Sequence, residues 1–418
     1  MKSKKLVLWS LYDFANSIVF INFLVYFSQW LVIDGGLSDW WFNATFAISS
    51  ILLFLSAPTL AAITDRKGHR KFFLNISTVA LAMCYSIAAL LAHAGSGIIL
   101  IAIFFLLGQY FYQLSFVFYN PMIDEIADIN HRARVSGIGQ FANAIGQVVG
   151  LAIMLPLASS RLAPLLPSVA IFILLALPMM IFFPKNTSKN SKLELSDVSK
   201  EGRGSIKKFV AFFSLSLSAP LLLAFFFYND ALVTVTNNYS IYMQRVFDIS
   251  DSKKSIILMV ILLMNAIGAI ISGWLGDRLG IFRTLKFTLI GWIIALPIIA
   301  IAPNVGIFIA ITALMGILIG SMWATSRAYM STLLTSGEMG YGFSFYTLLE
   351  RFATFAGPLT WGGIIALLGT ESSSYRIAMA SMSAFVVIGL LLILLWKRKP
   401  VYQTPANGNS TPLDPEVL

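Results

Sequence analysis

Charged residues are scarce in this sequence. Lys, Arg, Asp and Glu make up only 11% of the 418 residues, whereas soluble domains carry about 25%. Hydrophobic residues make up 58%, so too few polar side chains remain to cover one water-soluble globule. The composition disfavours a soluble enzyme, a disordered protein and a nucleic-acid-binding domain, and it suits a chain that lies in a lipid bilayer.

Cysteine and histidine are almost absent as well. Cys84 is the single cysteine, so no disulfide can form within the chain and no thiolate metal cluster is possible. The three histidines lie far apart, and none has a His or Glu partner one helical turn away. We therefore expect neither a metal nor a cofactor.

Long apolar runs are what the sequence has instead. A helix needs roughly 20 residues to cross about 30 Å of hydrocarbon. By that measure the chain has twelve spans, at 6–32, 41–64, 72–94, 98–122, 135–158, 165–183, 215–243, 255–275, 284–302, 305–328, 342–368 and 375–396. The predicted fold class is an all-α integral membrane protein with twelve transmembrane helices, the first of them retained and not a cleaved signal peptide.

A polar segment divides these spans into two groups of six. It is rich in Lys, Ser and Asn, a composition typical of a solvated linker. We predict an N-terminal six-helix half at 1–184, a cytoplasmic linker at 185–208, a C-terminal six-helix half at 209–396 and a cytoplasmic tail at 397–418.

The basic residues alternate with the spans. Of the 29 Lys and Arg, twenty-two fall on the side of the N-terminus. The opposite side has Arg161, Arg245, Lys253, Lys254 and Arg376. The positive-inside rule then places both termini in the cytoplasm, and we expect a multi-pass protein of the plasma membrane. The alternation also accounts for the net charge of +10 without a nucleic-acid partner.

Two similar charged segments follow the second and the eighth spans. They share the pattern Asp-Arg-x-Gly and contain Asp65, Arg66, Gly68 and Arg70, and Gly273, Asp277, Arg278 and Gly280. The glycine permits a tight turn, the aspartate can cap a helix, and the arginines can pair with carboxylates. We predict two gating loops on the cytoplasmic side.

This repeat resembles the major facilitator superfamily, whose loop between helices 2 and 3 reads G-x-x-x-D-R-x-G-R-[RK]. The second segment matches from Gly273 to Gly280, whereas the first has Ala61 for the leading glycine and His69 before Arg70. The resemblance implies two pseudo-symmetric six-helix halves, with helices 1, 4, 7 and 10 lining a central cavity.

Further motifs narrow the resemblance. They are LYDFANS at 11–17, VFYN at 117–120, FYNDA at 227–231, SR at 326–327 and GFSFY at 342–346. Together they look like the branch of the fungal vacuolar amino-acid effluxer of autophagy and its prokaryotic relatives. Ala231 and Arg351 depart from the Gly and Lys that are commoner there. The resemblance implies a permease, with efflux of an amino acid as the first expectation.

Polar residues inside the predicted spans form the candidate substrate and coupling cavity. They are Asp13, Asn16, Tyr119, Asn120, Tyr228, Asn229, Asp230, Arg327, Glu350 and Arg351. A charge at mid-membrane costs about 2.5–3.5 kcal/mol on insertion scales, so such residues should face a cavity or a partner. A structural contact is the alternative for Asp13, and snorkelling is the alternative for Arg327. Glu350 and Arg351 point about 100° apart, so each needs a partner on another helix; Asp13 or Asp230 could serve Arg351.

No G-x-x-x-x-G-K-[ST] motif is present, so ATP does not drive this chain directly through such a site. We predict a secondary or facilitative transporter that moves a small polar solute by alternating access. The expected partners are the solute and the lipid bilayer, with protons if transport is coupled, and we expect a monomer. Two alternatives stay open: an integral-membrane enzyme acting on a lipid-linked substrate, and an exporter of drugs or metabolites in the same fold.

Overall fold

The structure is a computed structural model that describes residues 3–67, 69–126, 132–184, 218–333, 346, 349–350 and 352–395. Every regular element in these residues is helical. Twelve α-helices follow in order: α1 (Ser3–Asn22), α2 (Asp39–Lys67), α3 (Arg70–His93), α4 (Ile98–Tyr119), α5 (Arg132–Met154), α6 (Leu165–Phe182), α7 (Ala219–Phe247), α8 (Asp251–Leu279), α9 (Ile281–Ile301), α10 (Val305–Leu333), α11 (Ala356–Leu368) and α12 (Ser372–Leu395). Eleven of the helices are long and apolar enough to cross a membrane, and α11 has 13 residues. The predicted fold class is confirmed.

Large apolar side chains are exposed along the outer faces of several helices. On α6, for example, Leu174, Ile181 and Phe182 are between 61% and 71% exposed. Such a surface would be unfavourable in water and is the surface that a helix presents to lipid.

The first span does not keep α-helical hydrogen bonding to its end. α1 is followed by two π-helical turns, Phe23–Phe27 and Trp30–Asp34. Three side chains near these turns donate to the carbonyl oxygen four residues earlier: Asn22 to Ile18, Ser28 to Leu24 and Gln29 to Val25. Because they compete with backbone N–H groups for the same acceptors, the helix widens there.

The eleventh helix begins later than its apolar run predicts. The run extends over 342–368, but α11 begins at Ala356, and residues 353–355 before it are not helical. Pro358 explains the interruption, because it has no N–H and its ring clashes with the carbonyl group of Thr354 in a continuous helix.

The Asp-Arg pairs of the two repeated segments lie on helices, which corrects their prediction as loop residues. Asp65 and Arg66 lie in the last turn of α2, and Asp277 and Arg278 in the last turn of α8. Both helices are longer than the hydrocarbon layer requires, so their polar ends extend past it. In the second segment the reversal is made at Gly280, whose φ of 90° suits glycine. Gly68 lies outside the described residues.

The described residues form two compact units. Unit 1 contains those in 1–209, 236–259 and 354–375, and unit 2 those in 210–235, 260–353 and 376–418. In unit 1, α1 packs against α5 and α6, α3 against α4, and α2 against α4 and α11. In unit 2, α9 packs against α10.

Close packing of α8 and α10 in unit 2 depends on glycines. A Cβ atom at Gly316 would lie 2.7 Å from the carbonyl oxygen of Ile261. One at Gly320 would lie 2.8 Å from the backbone nitrogen of Ala269 and would overlap the carbonyl oxygen of Asn265. The spacing of Gly316 and Gly320 is that of the small-residue motif by which membrane helices approach each other closely.

Replacing Gly320 with alanine is therefore expected to destabilise the protein by about 1–3 kcal/mol, because backbone atoms must move to admit one methyl group. Thermal unfolding in detergent measures the effect. Gly273→Ala is the matched control on α8, since no described atom outside the helix's own backbone lies within 4 Å of the Cβ position there. Equal melting temperatures for the two variants would contradict the packing assigned to α8 and α10.

Candidate functional site

Asp13 is buried in α1 of unit 1, and α5 holds its carboxylate. Asn143 Nδ2 donates to Asp13 Oδ1 at 2.8 Å, and Gln147 Nε2 donates to Asn143 Oδ1 at 2.7 Å. Gly139, one turn earlier on α5, lets the two helices come together, because a Cβ atom there would lie 2.6 Å from the ring of Trp9. The arrangement places an oriented carboxylate inside a span, where it can accept a proton or a cationic group.

The other candidates of the first six helices differ in their contacts, and Tyr119 is the one shown beside this carboxylate. Tyr119 lies beside Asp13, and its hydroxyl donates to the carbonyl oxygen of Trp9 at 2.9 Å. The Trp9 indole donates back to the carbonyl oxygen of Tyr119 at 3.2 Å, and the two rings stack at 4.6 Å. Asn16 is buried and donates to Ser115 Oγ at 3.5 Å. Asn120 begins a 3-10 helix and has no hydrogen bond from its side chain to the described residues.

A second polar cluster lies in unit 2, where α7 meets α10. Asn229 is buried; its Oδ1 accepts from the indole of Trp323 at 3.1 Å, and its Nδ2 donates to the backbone oxygen of Glu350 at 3.2 Å. The hydroxyls of Tyr228 and Ser326 are 2.8 Å apart. These contacts fix the relative positions of three segments that are distant in sequence. The indole of Trp323 was not foreseen from the sequence, where it reads as one apolar residue among many.

Arg327 and Glu350 pair within this second cluster. Arg327 Nη2 lies 3.3 Å from Glu350 Oε1, and the buried Tyr346 lies beside both residues. The side chains of Arg327 and Glu350 are 31% and 19% exposed. Glu350 was expected to need a partner on another helix, and that partner is Arg327 of α10. Arg351 lies outside the described residues.

Asp230 is buried in α7, where it directly follows Asn229 in the sequence. The three amides of this helix divide between the two units: Asn229 belongs to unit 2, and Asn237 and Asn238 belong to unit 1. The polar side chains of α7 therefore lie in two different environments along its length.

Arg161, between α5 and α6, is the centre of a network in unit 1. Its Nη1 contacts both carboxylate oxygens of Asp34, at 2.9 and 3.0 Å. Its Nε lies 3.0 Å from Asp251 Oδ2, and its Nη2 lies 3.0 Å from Gln244 Oε1. All three guanidinium nitrogens are engaged, and the side chain is only 13% exposed.

Lys254 completes the network from a fully buried position on α8. Its ammonium lies 2.8 Å from Asp251 Oδ1 and also contacts Gln29 Oε1 and Gln244 Oε1. An ammonium has three donors, so each one has an acceptor. Sequence reasoning placed Arg161 and Lys254 among aqueous loop charges. The spacing of three residues between Asp251 and Lys254 was the available signal of a pair on one helix face.

Four more polar contacts in unit 1 join early and late parts of the chain. Asn43 and Asn238 exchange two amide hydrogen bonds, at 3.1 and 2.8 Å. The Tyr375 hydroxyl donates to Asp39 Oδ2 at 2.8 Å. The other two are hydroxyl pairs, between Tyr26 and Ser255 and between Ser50 and Thr354. With Arg161 and Lys254, these contacts connect the π-helical end of the first span, α2 and the α5–α6 connection to α7, α8, α12 and the segment before α11.

The residues predicted for the gating loops have fewer polar contacts than Arg161 and Lys254 have. Arg70 Nη1 donates to the backbone oxygen of Pro121 at 2.9 Å, and the Arg278 guanidinium lies 3.9 Å from the centroid of the Trp274 ring. Asp277 is exposed and has no ion pair with the described residues. Its predicted capping role is not seen, since α9 begins after Gly280 with no side-chain cap.

The model of the Major Facilitator Superfamily matches residues 6–237 and 221–415. The uncharacterized MFS-type transporter YxiO of Bacillus subtilis (strain 168) is 24% identical, and the alignment covers 97% of each chain.

Two solved structures show the same fold. The nucleoside transporter NupG has a TM-score of 0.70 at 14% identity, covering 96% of this chain and 100% of its own. A bacterial homologue of the human lysosomal transporter Spinster, in an inward-facing and occupied conformation, has a TM-score of 0.74 at 15% identity, covering 94% of this chain and 96% of its own. With a family match that extends over nearly its whole length, the chain belongs to the Major Facilitator Superfamily.

Proposed function

We propose that this protein moves a small polar solute, first of all an amino acid, across the plasma membrane by alternating access. The observation that carries the proposal is the set of contacts in unit 1 between the first six helices and the last six. These contacts are made by amide, hydroxyl and charged groups, including the network of Arg161 and Lys254. Water can solvate such groups when they separate, so a polar contact set can open and close in a way that an apolar core cannot.

The solute is polar in this proposal because the membrane helices carry oriented polar groups. The carboxylate of Asp13 and the guanidinium of Arg327 would be costly in a span without a functional partner. The amino-acid assignment and the efflux direction come from the resemblance of the motif at 11–17 to the vacuolar effluxer branch. The nucleoside specificity of NupG is that protein's own, and the likeness to it supports the fold alone.

The proposal includes the organisation predicted from the sequence. The halves at 1–184 and 209–396 move relative to each other, the linker at 185–208 and the tail at 397–418 are cytoplasmic, and the monomer is the transporting form. With both termini in the cytoplasm, the network of Arg161 and Lys254 faces the outside, and the Asp-Arg-x-Gly segments face the cytoplasm.

A transport screen of the purified protein in liposomes tests the proposal. Radiolabelled amino acids, sugars, nucleosides and organic acids are offered in pools, with and without an imposed pH gradient. We expect one chemical class to enter faster than into protein-free liposomes, and an uncoupler to abolish accumulation if protons drive it. Folded, inserted protein that passes no pool faster than the control would contradict the transporter assignment. Conversion of a lipid-linked substrate by the same sample would favour an enzyme.

A further inference from the structure

Among the described residues, Arg161 and Arg327 are both largely buried arginines, and their environments differ. Arg161 has all three guanidinium nitrogens engaged, by two carboxylates and one amide, at 2.9–3.0 Å. Arg327 has one charged partner in the described part of the chain, at 3.3 Å and through a single nitrogen, and it also contacts the neutral hydroxyl of Tyr346. A strong Arg–carboxylate pair is bidentate, with distances of about 2.7–2.9 Å. The guanidinium of Arg161 is therefore held on all sides by hydrogen bonds. The guanidinium of Arg327 still has N–H donors that a ligand can use, because it has five and only some are engaged.

Hydrogen bonds within the protein already hold the polar side chains near Arg327 in place. The Asn229 amide is held from both sides, by Trp323 and by the backbone of Glu350, and Tyr228 is held by Ser326. The Arg327 side chain is more exposed than the Glu350 side chain it contacts, at 31% against 19%. An oxyanion can reach Arg327 from the exposed side without dismantling these hydrogen bonds.

We propose that Arg327 binds the carboxylate of the transported solute, and that Glu350 takes up a proton as it releases Arg327. The inference rests on the proposed transport function and adds the substrate class and the coupling residue. The charge of the site balances: Arg327 and the ionised Glu350 sum to zero before binding. Arg327, protonated Glu350 and the carboxylate of the solute sum to zero afterwards, and the ammonium of an amino acid lies outside this count. One proton accompanies one solute carboxylate.

A carboxylate fits this balance better than a phosphate dianion does. A dianionic phosphate would leave one negative charge on a partly buried site even with Glu350 protonated, and such an excess is costly there. In the described residues, Glu350 lies beside Arg327 of α10 and Tyr346 on its own segment, and Tyr228 of α7 lies beside Tyr346. The acid of α7, Asp230, is buried two residues after Tyr228. Arg327 is the one cation among them, so protonation of Glu350 directly changes what that cation can bind.

Binding measurements on the detergent-solubilised full chain test the inference without requiring transport. The probes are the neutral L-amino acids, the corresponding amino-acid amides and inorganic phosphate, each tested for its effect on thermal unfolding. We expect protection by acids and not by amides or phosphate. Arg327→Gln should weaken binding about 10- to 100-fold, and Arg327→Lys, which keeps the charge but not the two-nitrogen fork, should weaken it less. Arg376→Gln is the control, because that guanidinium donates to the backbone oxygens of Ala300 and Ala302.

The pH dependence separates proton uptake from simple anion binding. Affinity of the wild-type protein for the acids should rise by up to about tenfold per pH unit as the pH falls. Glu350→Gln, which imitates the protonated side chain, should bind the acids without that dependence. Equal protection by amides, preferential protection by phosphate, no protection by any probe, or unchanged binding by a folded Arg327→Gln would each overturn the inference. Transport that survives Arg327→Gln would overturn it while leaving the transporter assignment intact, whereas a failure of every solute to cross would overturn the proposed function.

Discussion

Replacing Lys254 with methionine is expected to lower the free energy of unfolding by about 3–5 kcal/mol, the usual cost of removing one member of a buried charge pair. Methionine has nearly the shape of lysine, so the change removes the ammonium and leaves little empty volume. Gln29 and Gln244 would each lose a donor, and Asp251 would keep only Arg161. Thermal or chemical unfolding of the purified protein in detergent measures the loss.

The neighbouring lysine provides the control for this change. Lys253 is exposed on the same turn of α8, so Lys253→Met alters composition and net charge equally without touching the network. We expect that variant to unfold within about 0.5 kcal/mol of the wild-type protein. If Lys254→Met were as stable as Lys253→Met, the ammonium would not hold the network together.

The fold could be predicted from the sequence because the relevant signal is coarse. Apolar runs of about 20 residues, a polar linker and a biased distribution of basic residues do not depend on tertiary detail. The predicted helices differ from the observed ones where a single residue changes the backbone locally. Pro358 interrupts the eleventh helix, and the side chains of Asn22 and Gln29 compete for carbonyl groups in the first. An average over a whole span does not register such local competition.

The candidate site could be predicted only in part. That Glu350 needed a partner on another helix follows from helical geometry, but the choice of Arg327 depends on how α10 and the segment before α11 come together. The amides at Asn143 and Gln147 have the spacing of one helix face, yet nothing in that spacing names Asp13 as their acceptor. The roles of Arg161 and Lys254 were missed because a charge near the end of a span resembles a loop charge until its burial is known.

Joining Asn43 to Asn238 by a short covalent bridge is expected to stop solute flux completely. The two buried amides exchange hydrogen bonds between α2 and α7, which belong to different six-helix halves of the sequence. In alternating access this contact must separate in every cycle. A cysteine at each position, in a Cys84→Ser background, can be bridged by a thiol-reactive reagent that a reductant later removes.

A second cysteine pair serves as the control for the bridge itself. Asn75 Nδ2 donates to the backbone oxygen of Met180 at 3.2 Å, between α3 and α6 of the same half. Because the first half moves as one body in the proposed cycle, a bridge between positions 75 and 180 should leave flux near its unbridged value. Loss of flux in both bridged proteins would trace the effect to the reagent.

The measurement that tests the transport cycle most directly is flux through the Asn43→Cys, Asn238→Cys protein in liposomes, before bridging, after bridging and after reduction, with the solute selected by the screen. Alternating access predicts flux that falls to the level of protein-free liposomes on bridging and returns on reduction. Undiminished flux through fully bridged protein would contradict it, because the contact between α2 and α7 would then be static and the solute would cross without its opening.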